Sequence, residues 1–190
     1  MTLHARLRTE TRDAHDRIEA AFDLDANLAS PEAYAALLGR LHAFHSGFEA
    51  AAEPWFAGTP LARCFGRAAL LQQDLTALGA TPPPPWPIAA CASRAEALGG
   101  LYVLEGSLLG GVVIARDVER RLGLGPETGG NAFFAGHGRD TARTWRAFCD
   151  DLEALAEPGE DEHVLKAADA TYASMQECLA GQAATPRMVL

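Results

Sequence analysis

Apolar residues recur at three- and four-residue intervals along nearly the whole chain, and no stretch sustains the alternation of a half-buried strand between hairpin turns. The pattern predicts an all-α protein. A first helix is expected over residues 2–22. A second starts at Ser30-Pro31-Glu32, a capping serine followed by proline at the first helical position, and ends before Pro54. A third runs from Thr59-Pro60 to Gly79. The run Thr81-Pro-Pro-Pro-Pro-Trp-Pro87 removes backbone donors and bars the α region before each proline, so it reads as a stiff spacer inside one domain. Ser93 opens a long helix to Leu122, closed by Gly123. A glycine-rich loop over 123–138 then leads to two final helices, over 139–157 and 160–181. Residues 182–190 are expected to be a flexible tail, leaving 1–181 as one helical domain.

At 100° per residue, Leu3, Leu7, Ala14, Ile18 and Phe22 fall within roughly a 100° arc, the buried stripe of an amphipathic helix. His15 lies at the edge of that stripe, with Glu19 at i+4 and Arg8 and Arg12 on the same flank. A histidine that ligates a metal through one ring nitrogen usually donates its other N–H to a carboxylate or carbonyl, and arginines pair with anionic groups of a ligand. From this helix alone, a histidine packed at a helix boundary beside an ordinary surface glutamate is the commoner reading.

The long helix carries Gly99, Gly100, Gly106, Gly110 and Gly111. Each costs about 1 kcal/mol relative to alanine in a helix, roughly 5 kcal/mol together, so something must offset them. Gly99, Gly106 and Gly110 project within about 40° of one another, a strip along which another helix or a flat ligand can approach the backbone. Ser107 within the strip favours the ligand.

Composition narrows the partners. The chain has 190 residues, 48% hydrophobic and 22% charged, which suits a soluble globular protein. Sixteen basic against 25 acidic residues leave a net charge of −9, which repels a nucleic-acid backbone. Cys64, Cys91, Cys149 and Cys178 form no C-x-x-C pair and suggest neither a zinc site nor a disulfide framework, so a reducing cytoplasm is expected. The first residues lack the apolar core of a signal peptide, and the most apolar stretch is interrupted by Glu105, so neither export nor a membrane span is expected.

Two segments resemble a known family. Leu7-Arg-Thr-Glu-Thr-Arg-Asp-Ala-His15-Asp-Arg-Ile-Glu19, followed much later by Leu101-Tyr-Val-Leu-Glu-Gly-Ser-Leu-Leu-Gly-Gly111, is similar to the proximal and distal helices of heme oxygenases. The second motif most resembles the bacterial branch, especially the biliverdin-producing enzymes that accompany bacterial phytochromes. The resemblance implies a multi-helix fold with heme between the first helix and the glycine-rich helix. It assigns His15 as the iron ligand, with Glu19 beside it and Arg8 and Arg12 near the heme propionates. Tyr102 matches a propionate-binding tyrosine, and Gly106 and Gly110 match the glycines over the distal heme face. Ser107 stands where other members carry an aspartate that organises distal water, so proton delivery here would rely on ordered water and backbone carbonyls. Arg146 matches a further propionate-binding arginine. Heme would be both substrate and cofactor, cleaved with O2 to biliverdin, CO and iron. The resemblance also implies an external electron donor, a ferredoxin or flavin reductase, and a phytochrome as recipient of biliverdin.

Other chemistry has weaker support. A helical heme carrier or sensor would use the same His15 and glycine strip without turnover. A di-iron oxygenase needs two Glu-x-x-His motifs with further glutamates, and Glu160-x-x-His163 stands alone as a solvated first turn. His42, His45 and Glu49 share a helix face without a second ligand set and read as packing or surface residues. No cysteine lies in a nucleophile motif.

Overall fold

A computed structural model describes residues 1–89 and 91–181; the expected tail over 182–190 lies outside the described residues. The helices are α1 (Leu3–Glu10), α2 (Arg12–Ala21), α3 (Leu24–Asn27), α4 (Pro31–Ala52), α5 (Arg67–Ala77), α6 (Arg94–Leu122), α7 (Ala132–Ala135), α8 (Thr141–Leu155) and α9 (Asp161–Leu179). The all-α expectation is correct, with no strand longer than a single bridge among the described residues.

Caps fall where the sequence placed them. Ser30 Oγ accepts from the Ala33 N–H and Ser93 Oγ from the Glu96 N–H, each quenching a donor the helix leaves unpaired. Gly123, at φ 67°, closes α6 in the left-handed conformation that glycine adopts without a Cβ clash.

Two expected helices are broken. Residues 2–22 divide at Thr11, whose hydroxyl donates to Leu7 O at 2.8 Å, a side-chain bond that competes with the helical ladder. A short α3, which the periodicity does not predict, follows it, capped by Asp23 Oδ1 accepting from the Ala26 N–H at 2.9 Å. Residues 60–79 divide into a 3-10 turn (Pro60–Cys64) and α5, because Gly66 takes φ 94°. The proline run is a spacer, yet its far end is docked: Trp86 N–H donates to Ala43 O at 2.8 Å and Trp86 Nε1 to Ser174 Oγ at 3.1 Å.

The main packing axis is α6 against α9. A Cβ built on Gly99 would stand 2.2 Å from Val164 O, and one on Gly100 would stand 2.3 Å from the Phe48 ring, so these glycines let α9 and α4 approach the α6 backbone. Gly99 is therefore a helix-packing glycine, which corrects its grouping with Gly106 and Gly110. One core gathers Leu98, Leu101, Phe148 and Val164; a second gathers Tyr34, Leu38, Leu71 and Phe133. By length and composition alone α6 is able to cross a bilayer, but 61% of its most apolar window is buried by neighbouring helices, as in a core helix.

The loop after α6 is pinned at depth. Asp74, wholly buried on α5, accepts from the Ala132 N–H at 2.7 Å and the Phe133 N–H at 2.8 Å, and Tyr34 donates to Gly130 O at 3.0 Å. These bonds cap α7, a helix too short to hold itself, and so fix Phe133 and Phe134 beside α6.

Candidate functional site

A cavity of about 460 Å³ opens between α2 and the middle of α6, with walls from α4, α7 and α9. Its size falls in the range of small-molecule sites and its lining is mostly apolar. Ile18 and Phe22, the end of the apolar stripe of the first helix, line this cavity and are only partly buried.

His15 stands in the α2 wall with its side chain half exposed. Its Nδ1 lies 3.5 Å from Asp16 Oδ1 and 3.7 Å from Glu19 Oε2. Both carboxylates address the same ring nitrogen, an arrangement that favours the proton on Nδ1 and leaves the Nε2 lone pair free. Tyr172 of α9 meets the imidazole edge-on, ring centres 6.3 Å apart. Sequence reasoning found Glu19 and missed the closer Asp16, because adjacent helical residues do not share a face and only the rotamers bring them together.

The α6 wall mixes the glycine backbone of Gly106, Gly110 and Gly111 with the side chains of Val103, Leu108, Leu109 and Ile114. A Cβ on Gly110 would meet nothing within 4 Å, and one on Gly106 would touch only the Trp145 ring at 3.6 Å. Neither glycine is needed for helix packing, in contrast to Gly99 and Gly100. Ser107 Oγ donates to Leu104 O at 2.7 Å, so its proton is spent on the helix and only its lone pairs remain for the cavity.

His45 on α4 also lines the cavity, with 2% of its surface exposed and no partner for Nδ1 among the described residues. The expectation of a packing residue holds for His45, and the structure adds that it also borders the cavity, which its helical spacing could not distinguish from a core. Its ring meets Phe133 edge-on at 5.1 Å. Burial, reinforced by the charges of Arg67 and His42, pushes its pKa down to about 3.

This cavity belongs to a chain with clear relatives. A curated heme oxygenase from Xanthomonas campestris pv. campestris is 34% identical over 164 residues, spanning 80% of this chain and 92% of the relative. The chain belongs to the heme oxygenase family. No family model matches the sequence. The NO- and CO-bound heme oxygenase of Neisseria meningitidis matches with a TM-score of 0.76 at 25% identity, covering 97% of this chain and 94% of that one. Heme oxygenase from Leptospira interrogans has the same fold, with a TM-score of 0.76 at 20% identity over 95% of this chain and all of that one. So does the heme complex of the cyanobacterium Synechocystis, with a TM-score of 0.74 at 19% identity over 95% of this chain and 92% of that one.

Of the heme-oxygenase positions named from sequence, His15, Glu19, Gly106, Ser107 and Gly110 come together on this cavity. Arg8, Arg12, Tyr102 and Arg146 are not on its walls. Arg12 lies 3.9 Å from Asp16, whereas no hydrogen bond or ion pair holds Arg8 or Arg146 among the described residues. Tyr102 is buried, its ring centre 5.7 Å from that of Trp145, the residue that backs Gly106. The break at Thr11 explains part of this, since Arg8 belongs to α1 and no longer continues the flank of His15.

The competing chemistries lose ground. Among the described residues, the metal-capable group whose ligand atoms all fall within 4.8 Å is His15, Asp16 and Glu19; Glu160 and His163 gain no partner set. Burial pushes the Cys64 thiol up to about 12 and those of Cys91, Cys149 and Cys178 to about 11, away from nucleophilic thiolates.

His45 also predicts a pH dependence. Its folded pKa of about 3 lies below the ordinary 6.5 of the unfolded imidazole, so between those values the unfolded chain binds the extra proton. Stability contributed at neutral pH is therefore lost as pH falls from 6.5, at about 1.4 kcal/mol per pH unit for this one group. Guanidinium unfolding at pH 7, 6 and 5 checks it: the wild-type midpoint should fall, and His45→Gln should flatten the trend.

Proposed function

We propose that this chain cleaves heme with O2 and external electrons to biliverdin, CO and iron, that residues 1–181 form the one domain that does so, and that it works in the cytoplasm. The carrying observation is the cavity itself: an apolar slot with a histidine on its α2 wall and a glycine-rich stretch of helix on its α6 wall. A flat macrocycle fits such a slot edge-in, and the open Cβ position of Gly110 leaves room for it against the helix.

Heme, when bound, supplies the redox-active iron and the ring that is cut. The residues do the rest. His15 Nε2 would hold the iron, with Asp16 and Glu19 beside Nδ1 to fix the tautomer and orient the ring. A neutral imidazole pushes less electron density to the iron than a thiolate does, which suits oxygen chemistry directed at the ring itself. Gly106 and Gly110 would let the heme approach the α6 backbone, so the contribution of α6 would be positioning. Ser107 offers an acceptor to water in the slot. Arg8, Arg12 and Arg146, exposed outside the cavity walls, are the candidate partners of the propionates, with Tyr102 behind them near Arg8.

A ferredoxin or flavin reductase is the proposed electron donor. A bacterial phytochrome is the proposed recipient of biliverdin, supported by the similarity of the Leu101–Gly111 segment to the enzymes that accompany those receptors. The test is a hemin titration of the purified protein followed by reductant under air. A stoichiometric Soret band that decays as biliverdin absorption grows is expected. A Soret band that persists with several donor systems would replace the enzyme by a heme carrier or sensor, and no band would overturn heme binding.

A further inference from the structure

A second cavity, of about 110 Å³, lies behind the end of the first helix, walled by α2, α3, α4 and α9. Ile18, Phe22 and Leu179 line both this side pocket and the heme cavity, so they form the partition between the two. The other walls are apolar except for Asn27, Arg40 and Gln176, and Arg40 is the charged one. Among the described residues, the other arginines drawn in from solvent, Arg6, Arg67 and Arg94, each meet a carboxylate. Arg40 meets none. Its Nη2 donates to Asn27 Oδ1 at 2.9 Å, and its Nε is buried without a partner. The acids nearest in the chain to Asn27 are committed elsewhere: Asp23 Oδ1 accepts from the Ala26 N–H that it caps, and Asp25 pairs with Arg121. Asn27 is held in turn, its Nδ2 donating to Asp23 O at 2.8 Å.

We propose that this side pocket binds a small free carboxylate with a short apolar tail, and that Arg40 is the partner of its anionic end. A guanidinium drawn from water without a counter-ion costs free energy that a carboxylate in reach offsets. Its planar fork of N–H donors matches the two oxygens of one carboxylate. Asn27 takes up a single proton of that fork and fixes its plane, which leaves Nη1 without an acceptor among the described residues. The tail of the ligand has Phe22, Leu37 and Leu179 to lie against. An apolar enclosure with one charged group at its polar end suits a short-chain carboxylate better than a strongly hydrated dianion such as phosphate. Because Ile18, Phe22 and Leu179 face both spaces, the occupant packs behind the wall of the heme cavity while remaining outside it. The site needs no hemin, so it stands independently of the heme reading above.

The probe is butyrate, titrated calorimetrically into the purified protein with and without hemin. Saturable binding at a single site is expected, and Arg40→Gln should weaken it about tenfold or more, with the thermal midpoint reporting that the variant is folded. Butyramide has the same shape without the charge, and in the wild type it should bind about tenfold more weakly than butyrate; this comparison needs no variant at all. Arg121→Gln removes an arginine that already has its carboxylate and should change butyrate affinity by less than about twofold. Hemin loading should leave butyrate binding in place. Undetectable butyrate binding, equal affinity in wild type and Arg40→Gln, or equal affinity for butyrate and butyramide would each overturn the proposal. Loss of butyrate on hemin loading would make the pocket part of the heme site and overturn its independence. Binding that appears only after residues 182–190 are deleted would make the chain's own segment the occupant and overturn the external ligand. A protein that forms no Soret band yet binds butyrate through Arg40 would overturn the heme reading alone.

Discussion

His15→Ala is expected to lower hemin affinity by at least tenfold and to replace the histidine-ligated spectrum with that of weakly held hemin. The fold should be unaffected, because the imidazole is half exposed and its side-chain contacts are two surface carboxylates and the edge of Tyr172. That separation makes the experiment decisive: circular dichroism and the thermal midpoint report folding, and the Soret band reports ligation. Added imidazole should restore part of the spectrum, since the cavity then has room for a free ligand in place of the side chain. Asp16→Asn and Glu19→Gln should have smaller effects than His15→Ala, as each leaves the other carboxylate beside Nδ1. A His15→Ala protein with unchanged hemin spectra would show that another residue holds the iron.

Substitution of Gly110 should separate binding from stability even more sharply. In Gly110→Ala the added methyl meets nothing within 4 Å, so the helix gains up to about 1 kcal/mol from the better propensity of alanine. Gly110→Phe should fold at least as stably as a surface substitution, yet fill the slot and abolish hemin binding and turnover. Gly99→Ala is the contrast. Its methyl would stand 2.2 Å from Val164 O and 2.8 Å from Ala168 N, both backbone atoms, so α6 and α9 must part at a cost of about 1–3 kcal/mol or more. Thermal unfolding beside hemin titration reads both effects. Normal turnover in Gly110→Phe would refute the placement of heme against α6.

The three glycines illustrate how far sequence reasoning reaches. Gly99, Gly106 and Gly110 share one helical projection, and the projection is correct. It has no record of what stands opposite each residue. The α9 backbone stands opposite Gly99, Trp145 partly opposite Gly106, and nothing opposite Gly110. Likewise the apolar stripe of the first helix was legible as 3.6-residue periodicity, but Leu3, Leu7 and Ala14 enter the core while Ile18 and Phe22 line a cavity. Periodicity measures the hydrophobicity of a face; whether that face meets protein or an open slot depends on the partners.

The helical class, the caps at Ser30, Ser93 and Gly123, the pairing of a histidine helix with a glycine-rich helix, and the family are all legible in the chain without its fold. All of these rest on short-range chemistry: hydrogen-bonding side chains at helix ends, backbone freedom of glycine, and local motifs. The breaks at Thr11 and Gly66, the approach of Asp16 to His15, and the place of His45 in the cavity wall emerge only once the helices pack. Arg67 of α5 meets Glu105 of α6 at 3.4 Å and His137 of a loop at 2.8 Å, and their meeting depends on how Asp74 and Tyr34 pin that loop. Contacts between residues so distant in the chain leave no periodic trace, because they are set by packing and by the need to satisfy buried charge once the helices have assembled.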